Sequence, residues 1–104
     1  MFEINGEDVR HKRLCELVKA HCEKHPNNVV LDHYYYDRNG LNGEVDVLVA
    51  NRYGLWFYEI KSKHHSTAWH KAQEQYKRFK DAHKGFPQYI KGVYVTPEKI
   101  KRLG

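Results

Sequence analysis

The sequence predicts an α/β domain in which helices pack against a mixed β-sheet. Three observations carry this prediction: a helical apolar period in the first quarter of the chain, three extended segments in succession, and a second amphipathic segment that leads into a fourth strand. A meander of three strands followed by a helical crossover implies a mixed sheet. With 104 residues, the chain is expected to form a single domain, 1–104.

The first two elements are a helix over 7–24 and a strand over 29–36. In the helix, the apolar period predicts one buried face, and its members are Leu14, Leu17, Val18, His21 and Cys22. Pro26 with the two asparagines after it ends the helix. The strand "VVLDHYYY" is β-branched and aromatic, and "DRNGLNG" (37–43) reads as the turn that follows it.

The next two elements form a predicted hairpin, with strands over 44–50 and 55–62 joined by the turn "NRYG". Side chains alternate between the two faces of a strand. One face of the first strand is therefore expected to hold Glu44, Asp46 and Leu48, and the other Val45, Val47 and Val49. In the second strand, Phe57, Glu59 and Lys61 share a face, opposite Trp56, Tyr58 and Ile60.

The last part of the chain predicts a helix, a strand and a short helix. Ser66 or Thr67 is expected to cap a helix that runs to about His83. Its predicted inner face comprises Trp69, Ala72, Tyr76 and Phe79. A strand follows over 88–96, with a bulge predicted at Gly92. The segment "PEKIKRL" begins with a proline suited to the first turn of a short helix.

Composition narrows the classes of partner. The net charge of +5 and the pI of about 9.2 favour polyanions such as nucleic acid. No segment approaches the ~20 apolar residues of a membrane span, and the N-terminus lacks the apolar core of a signal peptide. We therefore expect no membrane partner and a cytoplasmic location, or the host cytoplasm for a viral protein.

The two cysteines predict neither a disulfide nor an iron–sulfur cluster. Cys15 and Cys22 are seven residues apart on the predicted first helix, which separates them by roughly 10 Å along its axis. This is too far for a disulfide, and the spacing does not match zinc or iron–sulfur motifs. We expect two buried free thiols.

The charged residues within the hairpin indicate a catalytic site that binds a metal ion. If the turn "NRYG" joins the two strands, the side chains of Asp46 and Glu59 can approach each other. Lys61 is then the next residue after Glu59 on the same face of its strand. Two close carboxylates repel, and Mg²⁺ or Mn²⁺ relieves that repulsion with oxygen ligands. Such a cation activates water and polarises phosphoryl groups, and a lysine stabilises the developing charge. Solvated strand faces are the alternative reading of these charges.

The motif "GEVD", followed thirteen residues after its Asp by "EIK", resembles the PD-(D/E)XK nuclease signature. The resemblance runs from about residue 6 to 96. It implies a restriction-endonuclease-like αβββαβ core with a mixed four-stranded sheet flanked by helices. It also implies that Asp46 and Glu59 ligate the metal together with the main-chain carbonyl of Ile60, and that Lys61 is catalytic.

Within that superfamily, "GEVD" with "EIKS" is most similar to RecB-like nucleases. The likeness implies a metal-ligating histidine on the first helix, for which His11 fits. Glu7 is the alternative, as the helix acid of resolvase-like members, and helical phase places Glu16 on the outer face. The likeness also implies a catalytic glutamine in "Q-x-x-x-Y", matched by Gln75 although Phe79 replaces the tyrosine. Gln73 with Tyr76 is the other register. The proline before Asp46 and the four-cysteine cluster set are absent.

The resemblance implies a Mg²⁺- or Mn²⁺-dependent deoxyribonuclease that binds single- or double-stranded DNA. The residues expected to contact DNA are Lys63, His64, His65, Lys71, Lys77 and Arg78. A structure-specific endonuclease similar to Holliday junction resolvases is the second choice, and a non-catalytic DNA-binding module or an RNA-binding domain are further alternatives. A chain this short leaves no room for domains that clamp DNA, so a homodimer or a partner protein could complete the DNA-binding surface.

Overall fold

The computed structural model describes residues 6–86 and 89–104. Its elements, in chain order, are α1 (Gly6–Glu23), β1 (Val29–Arg38), β2 (Leu41–Asn51), β3 (Gly54–Ile60), α2 (Ser66–Ala82), β4 (Tyr89–Val95) and β5 (Ile100–Leu103). The five strands form one sheet in the order β1-β2-β3-β4-β5. Among the described strands, β3 and β4 alone pair in parallel, and the other neighbours are antiparallel. The predicted α/β class with a mixed sheet is confirmed, whereas the predicted number of four strands is wrong.

The two helices pack against opposite faces of the sheet, because β3 alternates between two hydrophobic clusters. Leu55 and Phe57 contribute to the cluster that contains the buried residues of α2. Ile60 belongs to the cluster that contains the cysteines of α1, with Trp56 and Tyr58 packed against it. The result is a layered arrangement of helix, sheet and helix, as expected when both faces of a sheet are apolar.

The apolar face of α1 differs from the predicted one. Cys15 and Cys22 are buried and free, as predicted, but Leu17 is 60% exposed and His21 is also exposed. At 3.6 residues per turn, Leu17 lies about 200° around the helix from Cys15 and therefore points away from the sheet. The line that packs on the sheet is formed by the cysteines with Leu14 and Val18.

The turn between β1 and β2 is shorter than predicted. Asn39 and Gly40 both have positive φ, of 54° and 75°, as a tight two-residue hairpin loop requires. The strand β2 therefore begins at Leu41 and includes Gly43. A Cβ atom at Gly43 would lie 2.7 Å from the Tyr36 hydroxyl, so this glycine makes room for the tyrosine and does not form a turn.

The helix α2 buries the predicted face but begins with a different cap. Ala72, Tyr76 and Phe79 are buried and Trp69 packs against their cluster. The N-cap is His65, whose Nδ1 accepts a hydrogen bond of 3.1 Å from the Ala68 N–H. The prediction that Ser66 or Thr67 caps the helix is therefore wrong, because a histidine nitrogen performs the role of the usual oxygen acceptor.

Two predictions about the C-terminal segment are also wrong. Strand β4 continues in regular register through Gly92, which pairs with Phe57 and Leu103, so there is no bulge at that residue. Gln88, the predicted first residue of this strand, lies outside the described residues. The segment after Pro97 is strand β5 and not a helix. The Thr96 hydroxyl accepts hydrogen bonds from the Lys99 and Glu98 N–H groups and reverses the chain.

Leu103 explains why a strand forms there. Its side chain is 4% exposed and belongs to the cluster under α2. An isolated helix of this length is marginal in water, so pairing with β4 and burial of Leu103 determine the structure. Within the described part of the chain, no helix is both long enough and apolar enough to cross a membrane.

Candidate metal centre

The candidate site lies where β2 and β3 cease to pair. Their register ends at the pair Val47 and Tyr58, one position before Asp46 and Glu59 would face each other. At this point the alternation of β2 also breaks, because Val45 packs in the α2-side cluster whereas Val47 packs in the α1-side cluster. The prediction that these two valines share a face is wrong.

Two local features accompany this break. The Ile60 N–H donates a hydrogen bond of 3.0 Å to Oδ2 of Asp46, so a carboxylate takes the place that a strand carbonyl would occupy in a continuing ladder. On the other side of β2, His33 occupies the β1 position opposite Asp46 in the register, and it has a positive φ of 51°. Such a backbone conformation is uncommon for a residue other than glycine and is often associated with functional sites.

An open cavity of about 470 Å³ forms at this end of the sheet. It is lined by all six residues that the sequence proposed as metal ligands or catalytic groups, namely His11, Asp46, Glu59, Ile60, Lys61 and Gln75. Because α1 and α2 lie on opposite faces, only the end of the sheet can bring residues from both helices together. The cavity is also lined by His33, Glu44 and Ser62.

Asp46 is the centre of the α1 side of the cavity. Its Oδ2 atom lies 3.4 Å from Nε2 of His11 and accepts the hydrogen bond from Ile60. The Asp46 side chain is 17% exposed and the His11 side chain 34% exposed. Both groups therefore remain accessible from the cavity, and a backbone N–H holds the Asp46 carboxylate in place.

Glu59 is the most deeply buried charged group of the site, with a side chain that is 5% exposed. The Lys61 Nζ atom lies 3.4 Å from its Oε1. The Gln75 amide, with its nitrogen turned towards this carboxylate, donates hydrogen bonds of 3.3 Å to Oε1 and 3.1 Å to Oε2. These contacts fix the Glu59 carboxylate from α2 and from the end of β3.

The electrostatics of the site favour a proton on Glu59. Burial and, after it, the charge of Asp46 raise the pKa of Glu59 from 4.5 to about 8, although Lys61 acts in the opposite direction. The lysine therefore compensates only part of the cost of burying two carboxylates. A divalent cation would supply the missing positive charge.

The donor set fits a hard cation. Two carboxylates and a main-chain carbonyl at Ile60 are the oxygen ligands that Mg²⁺ and Mn²⁺ prefer, and an imidazole such as His11 is also tolerated by transition metals. The open cavity leaves room for water ligands and for a substrate oxygen. Asp46, Glu59, the Ile60 carbonyl and His11 would hold the ion.

Two residues of the site were missed from sequence. Cys15 lies one helical turn after His11, and its Sγ is 3.7 Å from the His11 Nε2 atom; the i, i+4 spacing could have indicated this contact. Burial, followed by the charges of Asp46 and Glu59, raises the pKa of the Cys15 thiol to about 12. His33, which contacts Glu44 at 3.1 Å, could be found only from the register of β1 with β2.

The structure distinguishes some of the alternative site residues that the sequence left open on the two helices. Gln75 lines the cavity. Gln73, the alternative catalytic glutamine, does not line it and accepts a hydrogen bond from the Gly104 N–H. Glu16 is exposed, as predicted. The side chain of Glu7, the alternative to His11, lies outside the described residues.

The residues predicted to contact DNA occupy different environments. His65 caps α2, and His64 Nδ1 lies 3.1 Å from the Tyr94 hydroxyl, so both histidines have structural contacts. Lys63 is exposed. On α2, Lys71 lies four residues before Gln75 and Arg78 lies three residues after it, so all three share one face of the helix. Lys77 instead lines a separate hollow with Lys80 and Gln73.

Comparison with protein-family models, with curated proteins and with solved structures finds no match for this chain. The geometry of the cavity at the end of β2 and β3 is therefore the basis for assigning a function.

Proposed function

We propose that this protein is a Mg²⁺- or Mn²⁺-dependent deoxyribonuclease of the PD-(D/E)XK type, which hydrolyses DNA phosphodiester bonds. The observation that carries the proposal is the convergence of two carboxylates, Asp46 and Glu59, with the Lys61 amine in one open cavity. Their sequence spacing is that of the "GEVD…EIK" motif. A basic chain of net charge +5 is also suited to a polyanionic substrate.

The roles of the residues follow from their contacts. A Mg²⁺ or Mn²⁺ ion held by Asp46 and Glu59 would polarise the phosphoryl group and make water a better nucleophile. The Lys61 amine, 3.4 Å from Glu59, reaches the same space and stabilises negative charge that develops on the phosphoryl oxygens. Gln75 holds the Glu59 carboxylate in place, and His11 holds Asp46.

The direct test is a cleavage assay with linear, circular and four-way-junction DNA in the presence of Mg²⁺, Mn²⁺ or EDTA. We expect cutting with either ion and none with EDTA. Replacement of Lys61 by alanine should lower the cleavage rate about 100-fold or more, because a preorganised charge is lost, while DNA binding is retained. Lys24→Ala, an exposed lysine at the end of α1, is the matched control and should cut at the normal rate.

The substrates distinguish the alternatives. Cutting only at free ends indicates an exonuclease, and resolution of the junction indicates a resolvase-like enzyme that acts as a dimer, which a size measurement would then test. DNA binding without cutting, with no effect of Lys61→Ala, would contradict the proposal and indicate a non-catalytic binding module. Cutting of RNA alone would contradict the assignment of the substrate.

A further inference from the structure

We propose that His11, Cys15 and Asp46 form a site for a thiophilic divalent cation such as Zn²⁺, which overlaps the Mg²⁺ or Mn²⁺ site and excludes the hard cation. The three donor atoms, a histidine nitrogen, the cysteine Sγ and a carboxylate oxygen, lie within 4.8 Å of one another. This inference rests on the proposed function only in its last step, the competition between the two kinds of ion.

The spacing of the donors fits tetrahedral coordination. The His11 Nε2 atom is 3.7 Å from the Cys15 Sγ and 3.4 Å from the Asp46 Oδ2. For Zn²⁺ bonds of about 2.3 Å to sulfur and about 2.1 Å to nitrogen or oxygen, tetrahedral angles separate donor atoms by about 3.4 to 3.6 Å. Two of the three donor separations therefore match tetrahedral spacing, and the third, between the Cys15 Sγ and an Asp46 carboxylate oxygen, is no more than 4.8 Å.

The fold holds these donors in place. His11 and Cys15 are four residues apart on α1, so both point to the same side of the helix. Asp46 is fixed against them by its hydrogen bond from the Ile60 N–H. The cavity on the open side of His11 and Asp46 leaves space for a water molecule as the fourth ligand, which is the usual composition of a zinc site with three protein ligands.

The chemistry of the donors separates the two kinds of ion. A thiolate favours Zn²⁺ over Mg²⁺ or Mn²⁺, because soft ligands select soft or borderline cations. Binding replaces the thiol proton, which is released to solvent as the sulfur–metal bond forms. Since Asp46 and His11 serve both ions, one cation at a time can occupy them, and Zn²⁺ is expected to inhibit an enzyme that uses Mg²⁺.

The first test uses Co²⁺ as a spectroscopic probe for the zinc site, without DNA. Wild-type protein titrated with Co²⁺ should develop a thiolate-to-cobalt charge-transfer band that saturates at one equivalent and disappears when Zn²⁺ is added. Cys15→Ser should lack the band, and Cys15→Ala provides a second variant if the serine is unstable. Cys22→Ser is the matched control, because Cys22 is the other buried cysteine of α1, and it should keep the band.

A wild-type protein without the band, or a band that persists in the Cys15 variants, would overturn the proposal. Calorimetric titration with Zn²⁺ provides an independent measure, with an affinity at least 10-fold lower in the Cys15 variants and in His11→Ala. If the protein does not cut DNA but shows the band, the zinc site stands and the nuclease proposal fails.

The competition is tested last, in the cleavage assay with Mg²⁺. Addition of Zn²⁺ should inhibit the wild-type protein and Cys22→Ser at the same concentration. In Cys15→Ser the inhibitory concentration should rise at least 10-fold, measured relative to the activity of that same variant without Zn²⁺. Equal inhibition of all three proteins would show that Zn²⁺ acts elsewhere.

Discussion

At the scale of single residues, Glu59 combines features that are costly for folding. Its carboxylate is almost fully buried next to a second carboxylate, and the Lys61 ammonium supplies a compensating charge. A structural role alone would be served better by an apolar or amide side chain. The cost is explained if the role of the residue is to bind a cation.

The raised pKa of Glu59 predicts how the stability of the metal-free protein changes with pH. Since the folded-state pKa of Glu59 is about 8 and its ordinary value is 4.5, the folded state binds the proton more tightly. Stability from this group is therefore fully present below about pH 4.5 and is lost as pH rises through 8. We expect Glu59→Gln to remove this loss, so that the variant gains stability relative to wild type as pH increases.

The measurement is urea unfolding in EDTA at several pH values between 5 and 8.5. Glu74→Gln changes an exposed carboxylate on α2 and is the matched control, whose difference from wild type should stay constant. Parallel stability curves for wild type and Glu59→Gln would contradict the assignment of the raised pKa.

At the scale of elements, the start of α2 depends on a histidine that also belongs to the loop predicted to contact DNA. His65 accepts the hydrogen bond from Ala68, and the preceding His64 contacts Tyr94 from the same loop. The loop between β3 and α2 is thus held at both histidines. Because Lys61 is the first residue of this loop, the cap also helps to position one wall of the cavity.

We therefore expect His65→Ala to destabilise the protein by about 1 kcal/mol, the usual cost of losing an N-cap. Ser66→Ala and Thr67→Ala, which remove the caps expected from sequence, should each change the free energy of unfolding by less than about 0.5 kcal/mol. Denaturant unfolding of the three variants decides between the two caps. A larger loss for Ser66→Ala than for His65→Ala would contradict the observed capping.

At the scale of the whole molecule, the cavity connects three layers of the fold. His11 comes from α1, Asp46 and Glu59 from the sheet, and Gln75 from α2. A cation bound among them would add a further link between these elements, beside the contacts of His11 with Asp46 and of Gln75 with Glu59. Binding to the folded state alone stabilises that state by mass action.

Metal addition should therefore raise the stability of the wild-type protein. At a Mg²⁺ concentration 100 times the Kd, we expect a gain of about 2.7 kcal/mol that EDTA reverses. In Asp46→Asn the difference between protein with and without Mg²⁺ should be close to zero. Glu74→Gln is again the control and should show the wild-type gain; equal gains in all three proteins would place Mg²⁺ elsewhere.

The distribution of charge predicts which lysines and arginines bind DNA. Lys71 and Arg78 flank Gln75 on one face of α2, whereas Lys77 faces a different hollow. Each phosphate contact contributes about one unit to the dependence of the binding constant on salt concentration. We expect Lys71→Ala and Arg78→Ala each to reduce this slope by about one in a DNA-binding titration. Lys77→Ala should leave it unchanged, and the reverse order would contradict this placement.

The sequence by itself determined helices α1 and α2, strands β1 to β4 and the kinds of residue that form the cavity. Apolar periodicity identifies such elements because it depends only on neighbours along the chain. The pattern "GEVD…EIK" likewise predicted that Asp46, Glu59 and Lys61 belong together, because a single short turn joins their strands.

Only the tertiary structure decided the fifth strand, the break of alternation at Asp46, and the meeting of Cys15 with that carboxylate. Each depends on contacts between different elements: Leu103 with α2, β1 with β2, and α1 with the end of the sheet. Burial of Leu103 outweighs a weak local preference for helix, and strand register brings His33 opposite Asp46. Local patterns carry no information about either contact, since both depend on how whole elements pack.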